Sequence, residues 1–323
     1  MMAALKGGLV RGGIAASFAA AALTGCGQPA AQRHEAADAS ADEVRPAKTG
    51  YVNVAGARFY YQVFGRLDAG KTPLLVLHGS FMSSEAMAPI IKAFAPSRPI
   101  IAFDARGHGR TGNLPGPFTY DQMAADAAGV LDALKVPTAD VLGYSMGGVT
   151  AIVMAVRYPA KVGKQVVLSG VSERAGWYPE VLGGMAQMTP EAFAGGPLEA
   201  AYRRLSPTPD AFPKLVAEIR GQEAGGYDQP DAAVRSISAK TMIFIGDADG
   251  VRLDHALKLF LLRGGGDRKA AAQGFLPNAP RARLAVLPAT SHLGMMAQGH
   301  LISELATPFL DDAKPVTAPG FMN

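Results

Sequence analysis

Apolar positions along this chain repeat with two different periods, and the alternation between them is the first structural signal. Residues 51–65, YVNVAGARFYYQVFG, alternate apolar and polar around a Gly-containing turn, which predicts a β-hairpin. PLLVLHG (73–79) and PIIAFDARGHG (99–109) are short continuous apolar runs ending in glycine. Such runs suit strands buried on both faces. Between them SSEAMAPIIKAFA predicts a helix with Ser83 or Ser84 as N-cap. TYDQMAADAAGVLDALK (119–135) has the helical period, ADVLGYS reads as a strand, GGVTAIVMAVRYP as a helix stopping before Pro159, and GKQVVLSG (163–170) as a further strand. Strands and helices joined by short connections imply an α/β protein: a mostly parallel central sheet, flanked by helices, with right-handed crossovers.

Over residues 172–238 the rhythm breaks. Pro, Gly and short amphipathic stretches such as LEAAYRRL and PDAFPKLVAEIRGQ occur without a buried strand, so this reads as a helical cap inserted into the α/β core. Trp177, Tyr178, Phe193 and Phe212 in it either line an apolar pocket or form the cap's own small core. The strand pattern returns at KTMIFIGDADG (240–250) and ARLAVLPATSH (282–292), each followed by a helix, near 254–263 and 298–311. The expected division is a core of 50–171 and 239–312, a cap of 172–238 and a tail of 313–323.

The N-terminal 25 residues follow another pattern. Lys6 and Arg11 precede the apolar run GGIAASFAAAALTG, which has the make-up of a secretory signal and is short for a membrane span. It ends Leu23-Thr24-Gly25-Cys26, which resembles the bacterial lipoprotein box, and Cys26 is the chain's one cysteine. That resemblance implies a lipoprotein signal peptide over 1–25 and acylation of Cys26, whose acyl chains anchor the protein in a bilayer without spanning it. It places the protein in the bacterial cell envelope, on the periplasmic side; Gly27, where an aspartate would favour the inner membrane, leans toward the outer one. Residues 26–49, rich in Ala, charge and Pro, read as a disordered tether.

Charge narrows the partners. The 31 Lys and Arg less Lys6 and Arg11 leave 29 against 27 acids, a balance of +2, and the basic residues are scattered. That argues against a nucleic-acid partner. A lone cysteine excludes an internal disulfide or a cysteine metal site.

Gly143-Tyr144-Ser145-Met146-Gly147 fits G-x-S-x-G, a pattern expected roughly 0.2 times by chance in a chain with 38 glycines. Its context is more specific than its letters, because it closes an apolar strand and opens a helix, where a nucleophile elbow sits. A serine hydroxyl needs a base to take its proton and an acid to orient that base. His34 lies in the tether, and His78, His108, His255 and His300 have structural readings. His292 follows the last strand directly, at the carboxyl edge where open α/β sheets place their chemistry. After the preceding strand come Asp247 and Asp249; Asp249 lies further into the loop and is the preferred partner, Asp247 a turn cap, and Glu173 a distant third option.

The pieces LVLHGS, FDARGHGRT, GYSMGG, FIGDADG and LPATSHLG stand in one order over residues 51–310, which resembles the α/β-hydrolase fold superfamily, in particular its capped esterase, lipase, lactonase and perhydrolase-like members. The resemblance implies a Ser145–His292–Asp249 triad in the order these enzymes use. It also implies an oxyanion hole from the backbone N–H of Met146 and of Ser80, with Phe81 as the other option, and a mechanism needing no metal or organic cofactor. A carboxylic ester or lactone is the substrate expected. The same serine-based layout also serves carbon–carbon hydrolases, cofactor-free haloperoxidases and some hydrolase-fold proteins that only bind, so these stay open.

Overall fold

The computed structural model describes residues 44–276 and 278–316. The signal segment, Cys26, most of the tether and the last residues of the tail lie outside them.

Strand β1 (Lys48–Val54) and β2 (Ala57–Phe64) form the hairpin, turning through Ala55 and Gly56 at φ 48° and 83°. Two consecutive positive φ values give the turn whose twist matches paired strands. Lys48 and Thr49, assigned above to the tether, already pair with Val63 and Gln62. Strands β3 (Leu74–Leu77), β4 (Ile100–Phe103), β5 (Ala139–Tyr144), β6 (Val162–Leu168), β7 (Lys240–Ala248) and β8 (Ala282–Ser291) complete one eight-stranded sheet of order β1-β2-β4-β3-β5-β6-β7-β8. β2 runs antiparallel to both β1 and β4, and all other neighbours are parallel. Every residue of β3, β4 and β5 is buried, as expected of strands covered on both faces.

Helices α1 (Ala88–Phe94), α2 (Tyr120–Ala133) and α3 (Met146–Arg157) fill the crossovers. Thr119 caps α2 by accepting from the Gln122 N–H. Before α1 the chain makes a 3₁₀ turn at Ser84–Met87, and neither serine caps it. Ser84 instead spends both its N–H and hydroxyl on Asp104 Oδ1, at 2.7 and 2.6 Å. A carboxylate within reach outcompetes a cap, because charge-assisted bonds are the stronger ones.

The segment 172–238 holds α4 (Pro179–Ala186), α5 (Pro197–Leu205), α6 (Phe212–Ala224) and α7 (Asp231–Ser236). Then come α8 (Leu253–Leu262), α9 (Arg268–Gln273) and α10 (Gly299–Leu310). Apolar packing divides into three bodies. One cluster joins alternate sheet side chains to α2, α3 and α8; a second joins the opposite side chains to α1 and α10. The third belongs to the cap segment, with Tyr202, Phe212, Leu215, Val216 and Ile219 against Phe81 and Phe193. Phe212 is therefore core rather than lining, whereas Tyr178 is exposed. Each fully buried large apolar side chain contributes about 1.5–3 kcal/mol. No helix among the described residues is long and apolar enough to cross a membrane.

Candidate active site

The six parallel strands β3 to β8 end at the same edge, which carries Ser80, Ser145, Asp249 and His292. The turn between β5 and α3 is the tightest. Ser145 sits at φ 54°, ψ −117°, a conformation L-residues rarely adopt, at a cost of about 1–3 kcal/mol. The flanking glycines make it sterically feasible: a Cβ on Gly143 would lie 2.0 Å from the Gly147 carbonyl oxygen, and one on Gly147 2.3 Å from that of Leu77. Small residues are thus required by close backbone approach, and the strain lifts the Ser145 hydroxyl out of the turn at the N-terminus of α3.

His292 Nε2 stands 2.9 Å from Ser145 Oγ, and its Nδ1 stands 2.8 Å from Asp249 Oδ1. Three groups separated by 147 and 43 positions therefore form one continuous hydrogen-bonded line. Asp249 is buried, and its side chain accepts further bonds from the Ser169 hydroxyl and, at 3.1 Å, the Val251 N–H. Burial pushes its carboxyl upward; the bonds from His292, Ser169 and Val251 and the imidazole's charge outweigh that and hold it below the ordinary carboxylate range. It is built to remain an anion behind the imidazole.

Asp247 does something else. It lies within β7, not in the loop after that strand; its two oxygens accept from Ala289 N–H at 2.9 Å and Thr290 N–H at 3.1 Å, which ties the end of β7 to the end of β8 and keeps the carboxyl acidic. Glu173 pairs with Lys258 at 2.8 Å and takes no part in the line.

The loop after β3 is shaped by two histidines. His78 Nδ1 donates to the Gly79 carbonyl while Nε2 accepts from Ala105 N–H. His108 Nδ1 donates to the Arg106 carbonyl while Nε2 accepts from Phe81 N–H at 3.1 Å. Each ring is thereby fixed in one neutral tautomer, and burial, with His78 as neighbour, depresses His108 to about 3. Arg106 closes a buried two-pronged pair with Asp126 at 2.6 and 2.9 Å. The Phe81 N–H is committed to His108, and Met146 is the first residue of α3.

His255 is buried and accepts from Ser172 N–H; His300 is exposed beside Glu304. Neither belongs to the site. Among the described residues no group of three or more His, Cys, Asp or Glu is placed to hold a metal ion.

Three contacts were not foreseen from sequence. Ser169, at φ 51° just beyond β6, donates to Asp249 Oδ2. The Tyr144 hydroxyl donates to the His292 carbonyl at 2.9 Å. The Trp177 ring packs edge-to-face on the His292 ring with centroids 5.4 Å apart. Ser169 did carry one signal, since it ends an apolar run and so must reach the same sheet edge as Ser145.

Comparison with known proteins bears on the fold. A family model described as the alpha/beta hydrolase fold matches residues 72–257. The chain is 37% identical over 114 residues to a putative carbamate hydrolase, RutD, of Caulobacter segnis, covering 35% of this chain and 43% of that protein. It is 32% identical over 117 residues to 3-oxoadipate enol-lactonase 2 of Acinetobacter baylyi, covering 36% and 42%. The chain thus spans less than half the length of these curated relatives. Among solved structures, the enol-lactonase from Burkholderia xenovorans LB400 superposes with a TM-score of 0.60 at 20% identity over 81% of this chain and all of that one. The carboxylesterase CesB from Bacillus subtilis does so with 0.60 at 20% identity, over 81% and 91%; at such identities the likeness is one of fold. With its mostly parallel sheet, its strained strand-to-helix turn and a matching family model over more than half its length, the chain belongs to the alpha/beta hydrolase fold family.

Proposed function

We propose that this protein hydrolyses a carboxylic ester or lactone through an acyl-enzyme on Ser145. The observation that carries this reading is the line from Ser145 Oγ through His292 to Asp249, at 2.9 and 2.8 Å, on a turn strained at the serine. His292 takes the hydroxyl proton as Oγ attacks the carbonyl carbon. The resulting oxyanion lies against the N–H groups of Ser80 and Met146, and collapse expels the alcohol, protonated by His292. Water then attacks the acyl-enzyme with His292 as base, and the acid leaves. Asp249 holds the imidazole tautomer and balances its transient charge.

The substrate is read as apolar on its acyl or alcohol side. Phe81, beside Ser80 in the loop after β3, meets the Phe193 ring at a tilt with centroids 4.7 Å apart and lies 6.2 Å from Phe212, so aromatic surface from the cap reaches the loop that would polarise the carbonyl. The test is a panel of p-nitrophenyl esters of increasing acyl length, lactones and aryl carbamates, the last included because a relative is named for carbamate hydrolysis. Ester or lactone turnover abolished by Ser145→Ala supports the reading; Ser145-dependent turnover of carbamates alone, or none at all, refutes it.

Acylation of Cys26 belongs to the same proposal. It rests on the sequence Leu23-Thr24-Gly25-Cys26 following a short apolar run. It places the enzyme on a lipid surface of the bacterial envelope. Palmitate labelling lost in Cys26→Ala would support it, and unlabelled wild-type protein would refute it.

A further inference from the structure

Resting on the reading of His292 as the base, we propose that Glu223 and Tyr227 are positioning residues, through which the cap helix α6 holds Trp177 against the imidazole. The chain of contacts is continuous and buried. Glu223, near the end of α6, accepts from the Tyr120 hydroxyl at 2.6 Å on one oxygen and from the Tyr227 hydroxyl at 2.9 Å on the other. Tyr227 in turn accepts from Trp177 Nε1–H at 2.8 Å. The indole then meets the His292 ring at 5.4 Å. Tyr120, Glu223, Tyr227 and Trp177 are all nine-tenths or more buried.

The direction of each bond follows from the groups themselves. Indole N–H only donates, so Tyr227 must accept from it, and a phenol has one proton. That proton goes to Glu223, whose carboxylate serves both phenols as acceptor. An amide in its place presents only one acceptor oxygen and an NH₂ donor, so one phenol would lose the acceptor for its proton and have to turn that proton away.

The backbone around Trp177 is anchored from the other side. Tyr178 N–H donates to the Gly250 carbonyl at 3.1 Å and Arg252 N–H to the Gly176 carbonyl at 2.8 Å, which fastens this segment to the loop bearing Asp249. The acid loop therefore fixes the backbone of Trp177, and the cap fixes its ring. Arg174 Nε donates to the Glu223 carbonyl at 2.8 Å and closes the helix end. A shift of α6 on substrate release or binding would reach His292 by this route. Around the imidazole itself the facing groups are Ser145, Asp249, Tyr144 and Trp177.

Trp177 is the chain's one tryptophan, so tryptophan fluorescence reports the surroundings of this indole. The experiment compares Tyr227→Phe, Glu223→Gln and Tyr120→Phe in the full chain, each checked for a native circular-dichroism spectrum. For a p-nitrophenyl ester, Tyr227→Phe and Glu223→Gln are expected to lower kcat about tenfold with KM changed less than about threefold, and to shift Trp177 emission. Tyr120→Phe removes a bond to the same carboxylate but none on the path to Trp177; it should cost similar thermal stability yet lower kcat less than about threefold. If Tyr120→Phe and Tyr227→Phe lower kcat equally, in step with their melting temperatures, the network is structural and the positioning role is overturned. Unchanged kcat in Tyr227→Phe overturns it as well, whatever the emission does. Wild-type turnover that survives Ser145→Ala would overturn the reading of the site itself, and the positioning role with it.

Discussion

The two ends of the central sheet use polar groups in opposite ways. At the amino end buried cations are held by groups of the fold: Arg98 bonds Asp140 at 3.2 Å and the part-exposed Asp311 at 2.6 Å, and Arg263 spreads its donors over the carbonyls of Val234, Arg235, Ile237 and Ala239. At the carboxyl end the line from Asp249 through His292 stops at the Ser145 hydroxyl. Backbone strain follows the same division. Phe81, Ser145, Ser169 and Ala289 all have positive φ at the carboxyl edge, whereas Ala55, Lys135 and Asp312 have it in plain turns. Strain kept around a polar line that ends open is the mark of a working edge; closed pairs serve the fold.

Substitutions along the line should break the contrast most strongly. Ser145→Ala or His292→Ala is expected to lower kcat by about 10⁵-fold or more, and Asp249→Asn by about 10⁴-fold, with melting temperature nearly unchanged for the first two; steady-state kinetics checks this. Asp247→Asn, two residues away, should alter kcat less than about threefold, because that carboxylate bonds backbone N–H groups, those of Ala289 and Thr290 among them, and not His292. A comparable loss in both aspartate variants would erase the distinction. Ser169→Ala removes one of the donors to Asp249 and should cost about tenfold in kcat, with KM little changed.

At the closed end the effect moves from rate to stability. Arg98→Met takes the guanidinium from buried Asp140 and from Asp311, leaving Asp140 the Lys164 N–H at 2.9 Å, and should destabilise the fold by about 3 kcal/mol in urea unfolding, with kcat unchanged. A smaller effect comes from the neutral histidines of the β3 loop. His108 titrates at about 3 when folded against an ordinary 6.5, and His78 is lowered too, mainly by burial. Their folded pKa values are depressed, so below pH 6.5 the unfolded chain gains protons that the native state refuses, and stability falls as pH drops toward about 3. The urea midpoint should decline from pH 7 to pH 5, and less so in His108→Gln.

Much of this was legible in the chain, for reasons of locality. Continuous apolar runs gave the buried strands because covering both faces leaves no room for alternation, and Gly143-x-Ser145-x-Gly147 was readable because its constraint is steric and spans five residues. The choice of Asp249 over Asp247 followed from depth in a loop. What escaped notice is contact at long range. Ser169 meets Asp249 across 80 positions and Tyr120 meets Glu223 across 103, and no period along the chain encodes either. Ser84 was misread as a cap because Asp104, 20 residues on, claims its hydroxyl.

The reactivity of Ser145 tests the account most directly. Wild-type protein treated with a fluorophosphonate should carry a single adduct on the peptide containing Ser145, and His292→Ala, still folded, should label at least a hundredfold more slowly, an on-the-order-of figure for loss of the base. An unlabelled Ser145, or labelling as fast without His292, would contradict it.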